Sequence, residues 1–409
     1  MGDRVGIRGA NSEGFVVAVH ALMRLGAVLV PINTRLTQSE VAWQTADAEL
    51  ALTLGDADLA ELVDSNGAGN VVAAERLFEM EDWHSILYTS GTTGRPRGAI
   101  LTYENHWWSA VGSALNLGLL PDDTWLVCLP LFHVGGLSIL LRSVICGITA
   151  LVQPHFSAAS VNAAIDQEAV SIISVVSTML DRMLALRNGR VYPSTLRCVL
   201  LGGGPAPLPL LERAAALHVP VVQTYGLTET ASQLTTLAPE EALGKLGSAG
   251  KPLMGSRIRV TADGEICVRG PSVSPGYLHQ SASVEPDGWL YTGDLGRVDA
   301  DGYLYVLDRR DDLIVSGGEN VYPAEVEAAL LAHPAVADAG VIGTPDAEWG
   351  RTVLAFVVLE PDQQATANEL IAFIRERLAA YKVPRRLEFR ASLPRNAAGK
   401  LLRRELALA

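Results

Sequence analysis

Cysteine is scarce in this chain. There are four in 409 residues, Cys128, Cys146, Cys198 and Cys267, each alone inside an apolar stretch. With no C-x-x-C pair and no His/Cys grouping at metal-ligand spacing, neither a disulfide framework nor a zinc site is specified, and the reading is buried thiols in a reducing cytoplasm. Positive charge is also in short supply. Against 45 Asp and Glu stand 32 Lys and Arg, a net charge of −13, and such a surface repels nucleic acid unless basic residues cluster locally. Uninterrupted apolar runs are missing as well. The longest, Val134 to Pro154, is broken by Arg142 and several glycines, and the opening MGDRVGIRGANSEG lacks the apolar core of a secretory signal. Neither a nucleic-acid partner nor membrane insertion is expected. No G-x-x-x-x-G-K-[ST] loop and no G-x-G-x-x-G fingerprint is present, and no internal repeat or low-complexity segment occurs.

What remains is ample for a core. Single cores stop growing at roughly 250 to 300 residues, so a chain of this length implies at least two domains. A hydrophobic content of 49% with 19% charged residues fits a globular enzyme. Amphipathic helical patterns alternate with short β-branched runs, which argues for α/β layering around substantially parallel sheets. Val16 to Leu25 reads as a helix and Ala27 to Pro31 as a strand, and further strands are expected at Trp125 to Leu129, Ile172 to Val176, Cys198 to Leu201 and Val219 to Gln223. From about Ile258 the texture changes to short alternating runs punctuated by Asp263-Gly264, Asp287-Gly288 and Asp301-Gly302, the turn chemistry of hairpins. After Asp311 an α+β pattern returns, with helices at about Pro323 to Ala332 and Ala367 to Leu378 and strands near Ala337 to Gly343 and Val353 to Leu359. The expected architecture is α/β: a large domain of layered α/β subdomains over residues 1–310, with a small β subdomain at about 245–310, and a small α+β domain over 311–409.

The run TSGTTGRPRG, residues 89–98, follows the strand-like Ser85 to Tyr88 and is built to hold phosphate. Its glycines permit close backbone approach and successive N–H groups can face one anion, while Thr89, Ser90, Thr92 and Thr93 add hydroxyl donors around Gly91 and Gly94, and Arg95 and Arg97 add charge. Tyr225-Gly226-Leu227-Thr228-Glu229-Thr230 follows the expected strand Val219 to Gln223, where an α/β sheet presents ligand-binding groups. Taken alone, a Thr-Glu pair there is also a capping motif. Gly202-Gly203-Gly204-Pro205 follows the strand ending at Leu201, and Asp294 stands in Tyr291-Thr292-Gly293-Asp294.

Together these segments resemble the adenylate-forming superfamily of acyl-CoA synthetases, adenylation domains and luciferases. The resemblance spans nearly the whole chain and is closest to the 2-succinylbenzoate:CoA ligases of menaquinone synthesis, through Cys128 to Ser138, Val176 to Leu180, Leu201 to Pro207, Asp308 to Arg310 and Ser316 to Pro323. It implies an ATP-dependent ligase that makes an acyl-adenylate and then an acyl-CoA, with ATP, Mg²⁺ and CoA as cofactor and co-substrates. A ligase for another acid, or a nucleotide-binding relative without catalysis, would carry the same motifs. The resemblance implies ATP contacts from the 89–98 loop including Arg97, from Gly203, Gly204 and Pro205, and from Thr224, Tyr225, Gly226, Asp294 and Arg309, the last two at the ribose. Thr228 and Glu229 fall to the α-phosphate and Mg²⁺, and Lys400, within Pro394 to Arg404, is the catalytic lysine. A long ammonium arm there would bridge two anions as charge redistributes. Asp311 takes the hinge of a mobile small domain, and Gly317 and Gly318 line the CoA tunnel.

For the acid itself, His133, Ser232 and Gln233 are the candidate contacts, and no arginine is placed in the pocket by sequence. The partners implied are small molecules, and a homo-oligomer is compatible with the resemblance. The sequence departs from the family in two places. Arg97 stands where many relatives have lysine, and Met1 to Val5 resembles an internal strand start, so that either the first layer of the large domain is trimmed or the true start lies upstream.

Overall fold

The computed structural model describes residues 2–64, 78–89, 96–204, 206–280, 285, 287–309, 312–316, 319–346, 349–378, 380–396, 399 and 401–406, whose strands form four sheets. In the first, Leu52–Gly55, Arg4–Arg8, Val28–Pro31 and Trp83–Thr89 run parallel, and Arg97–Thr102 and Gly276–Tyr277 complete one edge antiparallel. In the second, Thr149–Val152, Thr124–Val127, Ile172–Val175, Cys198–Leu201 and Val221–Tyr225 run parallel, followed antiparallel by Thr235–Thr236 and Lys251–Pro252. Helices cross over between the parallel strands, among them Glu13–Leu25, Val134–Cys146 and Ser177–Arg187, while Tyr103–Leu117 leads from the first sheet to the second.

The local chemistry explains these choices. Ile172–Val175 and Cys198–Leu201 are buried at every position, so both strands read as unbroken apolar runs, as expected where both faces are covered. The helix Glu13–Leu25 starts at Ser12, whose hydroxyl accepts from the Phe15 N–H at 3.2 Å, and stops at Gly26 in the left-handed region. One continuous core joins the first two sheets, from Ile7 and Phe15 through Trp125 and Leu137 to Val222. The third sheet, Arg257–Val260, Glu265–Arg269, Leu290–Val298 and Leu304–Arg309, is wholly antiparallel. The fourth contains Glu319–Val321, Ile314–Ser316, Gly350–Leu359 and Val336–Asp346, with Arg386–Phe389 alongside, and carries its own cores around Val341 and Phe356.

Three expectations are corrected. The strand expected at Val219 to Gln223 is Val221–Tyr225, because Thr224 and Tyr225 pair with Thr236 and Thr235 and carry the strand onward. The segment 245–310 is not one uninterrupted β unit. Lys251–Pro252 belongs to the second sheet and Gly276–Tyr277 to the first, the latter held there as the Asn105 amide donates to the Pro271 and Val273 carbonyls at 2.8 and 3.0 Å. Cys146 is half-buried, whereas Cys128, Cys198 and Cys267 are buried. No described helix is long and apolar enough to cross a membrane.

Candidate active site

The candidate site forms where the strands Trp83–Thr89, Cys198–Leu201 and Val221–Tyr225 end. Thr89 pairs with Arg97 across the hairpin whose tip is the phosphate-loop motif, and the Thr89 hydroxyl donates to the Arg97 carbonyl at 3.4 Å. Ser90, Gly91, Thr92, Thr93 and Gly94 lie outside the described residues, as do Pro205, Asp311, Gly317, Gly318 and Lys400; the backbone of Arg309 is described but not its side chain.

Beyond Tyr225 the chain folds back sharply. Thr228–Thr230 forms one 3-10 turn, the Leu227 N–H donating to the Thr230 hydroxyl at 2.9 Å, and Ala231 and Ser232 follow with φ of 50° and 93°. The Leu234 N–H returns to the Tyr225 carbonyl at 2.9 Å. A Cβ on Gly226 would stand 1.5 Å from the Ser232 carbonyl oxygen, so only glycine fits at the base of this turn. The turn presents Thr228 and Glu229. Glu229 is fixed at both ends: its carbonyl accepts from the Ser274 N–H at 2.8 Å, and its Oε1 accepts from the Tyr277 hydroxyl at 2.6 Å. The Arg97 guanidinium lies 4.1 Å above the Tyr277 ring and donates to its hydroxyl at 3.4 Å. Arg97 thus reaches Glu229 through Tyr277, a residue that sequence reasoning missed.

No cluster of three or more His, Cys, Asp or Glu able to hold a metal occurs among the described residues. The donor set nevertheless fits Mg²⁺, which binds through one or two carboxylates plus substrate phosphates. Glu229 is such a carboxylate, beside the phosphate-loop hairpin.

Asp294 is buried in the strand Leu290–Val298, pairs in register with Arg309, and accepts from the Tyr225 hydroxyl at 2.8 Å. Tyr225, Asp294 and the Arg309 backbone therefore meet at one edge. The Thr224 hydroxyl is engaged behind them, donating to the Thr235 carbonyl at 2.9 Å. On the opposite side, Val176 joins two segments far apart in sequence. A Cβ on Gly203 would come within 3.1 Å of Val176 Cγ1, and one on Gly399 within 3.4 Å of Val176 Cγ2 and 3.1 Å of Thr178 Oγ1. Gly203 and Gly399, the residue preceding Lys400, thus both lie against Val176.

His133 precedes the helix Val134–Cys146, tilts against Phe132 at 4.6 Å between ring centroids, and has a buried Nε2 with no hydrogen-bond partner. Burial, reinforced by the positive charge of Arg35, pushes its pKa down to about 4, so the ring is neutral at physiological pH. Gln233 is 2% exposed; its amide nitrogen donates to the Thr236 hydroxyl at 3.0 Å and its Oε1 has no partner. No hydrogen bond joins His133 to Ser232 or Gln233 among the described residues.

One further group went unforeseen. Arg142, in the middle of the helix that His133 begins, is 1% exposed. Its Nη2 donates to the Ser109 hydroxyl at 3.2 Å, its guanidinium lies 5.4 Å from the centre of the Trp125 ring, and its Nε has no partner. No described carboxylate pairs with it. Burial lowers its pKa to about 10, which leaves it charged. Ser109 in turn donates to the Ala231 carbonyl at 2.7 Å, so the cation sits one hydroxyl from the turn holding Ser232 and Gln233. The one sequence signal was a lone arginine interrupting an apolar helix.

The chain is similar to known proteins along nearly its whole length. Residues 1–278 match the AMP-binding enzyme family, and 325–400 match the AMP-binding enzyme C-terminal domain. A 2-succinylbenzoate–CoA ligase of Geobacillus sp. (strain WCH70) is 49% identical over 432 residues, covering 99% of this chain and 87% of that one. The o-succinylbenzoate CoA synthetase (MenE) of Bacillus subtilis in complex with the acyl-adenylate intermediate OSB-AMP superimposes with a TM-score of 0.90 at 44% identity, over 99% of this chain and 88% of that one. Its complex with ATP and magnesium ion gives 0.89 at 43%, over 99% and 89%. A double mutant of that enzyme bound with its product analogue OSB-NCoA gives 0.71 at 45%, over 100% and 88%.

Proposed function

The chain belongs to the AMP-binding enzyme family, and we propose that within it the protein joins 2-succinylbenzoate to CoA, with ATP cleaved to AMP and pyrophosphate, in menaquinone synthesis. The observation that carries this reading is 49% identity over 99% of the chain to a ligase named for that acid. Arg142 supplies a physical reason. 2-Succinylbenzoate has a second carboxylate, on the ring, and a buried guanidinium without a carboxylate partner is costly until an anion reaches it. Neutral His133, whose buried Nε2 has no partner, offers a further polar contact for the acid.

In the first half-reaction a carboxylate oxygen of the succinyl arm attacks the α-phosphorus of ATP and the bond to the bridging oxygen of pyrophosphate breaks. The 89–98 loop and Arg97 hold the phosphates, Thr228 hydrogen-bonds the α-phosphate, Asp294 and Arg309 read the ribose, and Lys400 spans the two reacting anions. Glu229 would hold Mg²⁺, which would supply neutralisation of the charge on the phosphates. In the second, the CoA thiolate attacks the acyl carbon and AMP leaves. The small domain, residues 311–409 beyond the large domain at 1–310, turns about Asp311, withdrawing Lys400 and bringing Gly317 and Gly318 toward the pantetheine arm. The nearness of Gly399 to Val176 and the higher TM-scores against the adenylate and ATP complexes than against the product-analogue complex support the first arrangement for this structure. The proposed location is the cytoplasm, a reading that the four free cysteines support.

The test is AMP release from a panel of acids with and without CoA. Turnover is expected with 2-succinylbenzoate and CoA together; turnover with benzoate or a fatty acid but not with 2-succinylbenzoate would overturn the reading.

A further inference from the structure

Lys400 must place one ammonium between two anions. The described residues on either side of it pair as the two arms of a hairpin. Arg395 bridges Leu401 in antiparallel fashion, the Leu402 N–H donates to the Pro394 carbonyl at 2.9 Å, and the Gly399 N–H donates to the Asn396 carbonyl at 2.9 Å. Leu393 and Leu401 pack into the cluster of Ile342, Leu354, Phe356 and Leu406, which ties the base of the hairpin to the fourth sheet. A side chain adds a further tie. Arg395 donates through Nη2 to Asp338 Oδ1 at 2.6 Å and through Nε to Asp338 Oδ2 at 3.2 Å, while its Nη1 reaches the Gly399 carbonyl at 2.7 Å. Asp338 itself is set by the long strand Val336–Asp346 and by the Ala339 N–H, which donates to Oδ1 at 2.9 Å.

We propose that Arg395, locked by Asp338, is a positioning residue for Lys400, acting through the Gly399 carbonyl that it holds. The proposal rests on the reading of Lys400 as the adenylation lysine. Three features support it. The carbonyl that Arg395 holds belongs to the peptide bond joining Gly399 to Lys400, so a rotation of that peptide redirects the lysine at its root. Gly399 has φ +77°, and a Cβ there would come within 3.1 Å of Thr178 Oγ1 and 3.4 Å of Val176 Cγ2, so its backbone is held close to the opposite wall. The pair is half-buried, with side chains 29% and 25% exposed, so its Coulombic contribution to stability is small, whereas its planar two-point fork fixes geometry. All three bonds lie within the small domain and travel with it, so the device acts wherever Lys400 is needed and is idle when Lys400 is withdrawn.

The consequence is a split between the half-reactions, measured on the full chain. Adenylate formation is followed by 2-succinylbenzoate-dependent ATP–pyrophosphate exchange, and thioester formation by adding CoA to supplied acyl-adenylate. Arg395→Gln and Asp338→Asn are each expected to slow adenylate formation about 100-fold, the effect of a displacement of about 1 Å, and to leave thioester formation within about twofold. Arg395→Lys keeps the charge but not the fork, and is expected to fall with them. Retained thioester formation doubles as the check that each variant folds. Wild-type adenylation in Arg395→Gln or Arg395→Lys, or equal loss of both half-reactions, overturns the proposal. Lys400→Ala separates this from the reading beneath it: normal adenylation in Lys400→Ala sinks the role of Lys400, whereas selective loss there with wild-type adenylation in Arg395→Gln sinks the positioning role alone.

Discussion

Replacing Arg142 by methionine should move stability and specificity in opposite directions. In the unliganded protein the guanidinium is buried and has Ser109 Oγ as its hydrogen-bond partner, with no described carboxylate beside it. Exchanging buried ionic groups for apolar side chains of similar volume is neutral or stabilising by about 1 to 4 kcal/mol, so Arg142→Met should melt at the same temperature or higher. With 2-succinylbenzoate bound, the same change leaves the ring carboxylate buried without its partner, at a cost of about 3 to 5 kcal/mol. At about 1.4 kcal/mol per decade, kcat/KM for this acid falls by roughly two to four orders of magnitude. An analogue with the same succinyl arm on an unsubstituted phenyl ring has nothing to lose, so the gap between the two acids narrows or inverts. Pyrophosphate release with both acids, alongside thermal melting of the free protein, gives all three numbers. Equal loss for both acids, or a lower melting temperature with selectivity intact, would show that Arg142 is a structural residue and not the reader of the ring carboxylate.

Other perturbations follow from the same geometry. Gly226→Ala places a methyl group 1.5 Å from the Ser232 oxygen, and the turn must open or the fold must yield about 4 kcal/mol or more; denaturant unfolding and Mg²⁺-dependent adenylation should both suffer. Tyr277→Phe removes the 2.6 Å bond to Glu229, a charge-assisted bond of about 1.5 to 3 kcal/mol, so half-saturation by Mg²⁺ should rise about tenfold or more while thermal stability changes little; an unaltered Mg²⁺ titration would contradict the tether. His84 is buried beside His106, and burial followed by the charge of His20 pushes its pKa down to about 3. The unfolded chain therefore binds the proton that the folded chain refuses, so this contribution is complete above the ordinary value of 6.5 and is lost as pH falls toward about 3. His84→Phe should flatten the acid limb of a melting-temperature profile, and an unchanged slope would refute the assignment.

Ile172–Val175 and Cys198–Leu201 were legible in the sequence because buried parallel strands write themselves as apolar runs, whereas Leu52–Gly55 and Thr149–Val152, less buried, were not read as strands. The Asp-Gly turns were legible for a similarly local reason: Gly264, Gly288 and Gly302 all take positive φ. What escaped was non-local. Nothing near Tyr277 announces that a two-residue strand returns to the first sheet, and that pairing is what brings its hydroxyl to Glu229. The extension of Val221–Tyr225 depends on Thr235 and Thr236, whose threonines carry no stronger strand signal than their neighbours. At the site, Thr228 and Glu229 were legible as a motif, but the partners that fix them were not. Arg142 shows why: an arginine in an apolar helix reads as an interruption, and only the packing of Trp125 and Ser109 around it reveals a buried cation.

The most direct measurement is CoA-dependent AMP release with purified full-length protein, ATP and Mg²⁺, comparing 2-succinylbenzoate with benzoate and a medium-chain fatty acid. The account predicts that 2-succinylbenzoate is turned over and the other two are not, and that omitting CoA halts the reaction at the bound adenylate. Turnover of benzoate or the fatty acid in its place would contradict the assigned acid, and no AMP with any acid would contradict the ligase itself.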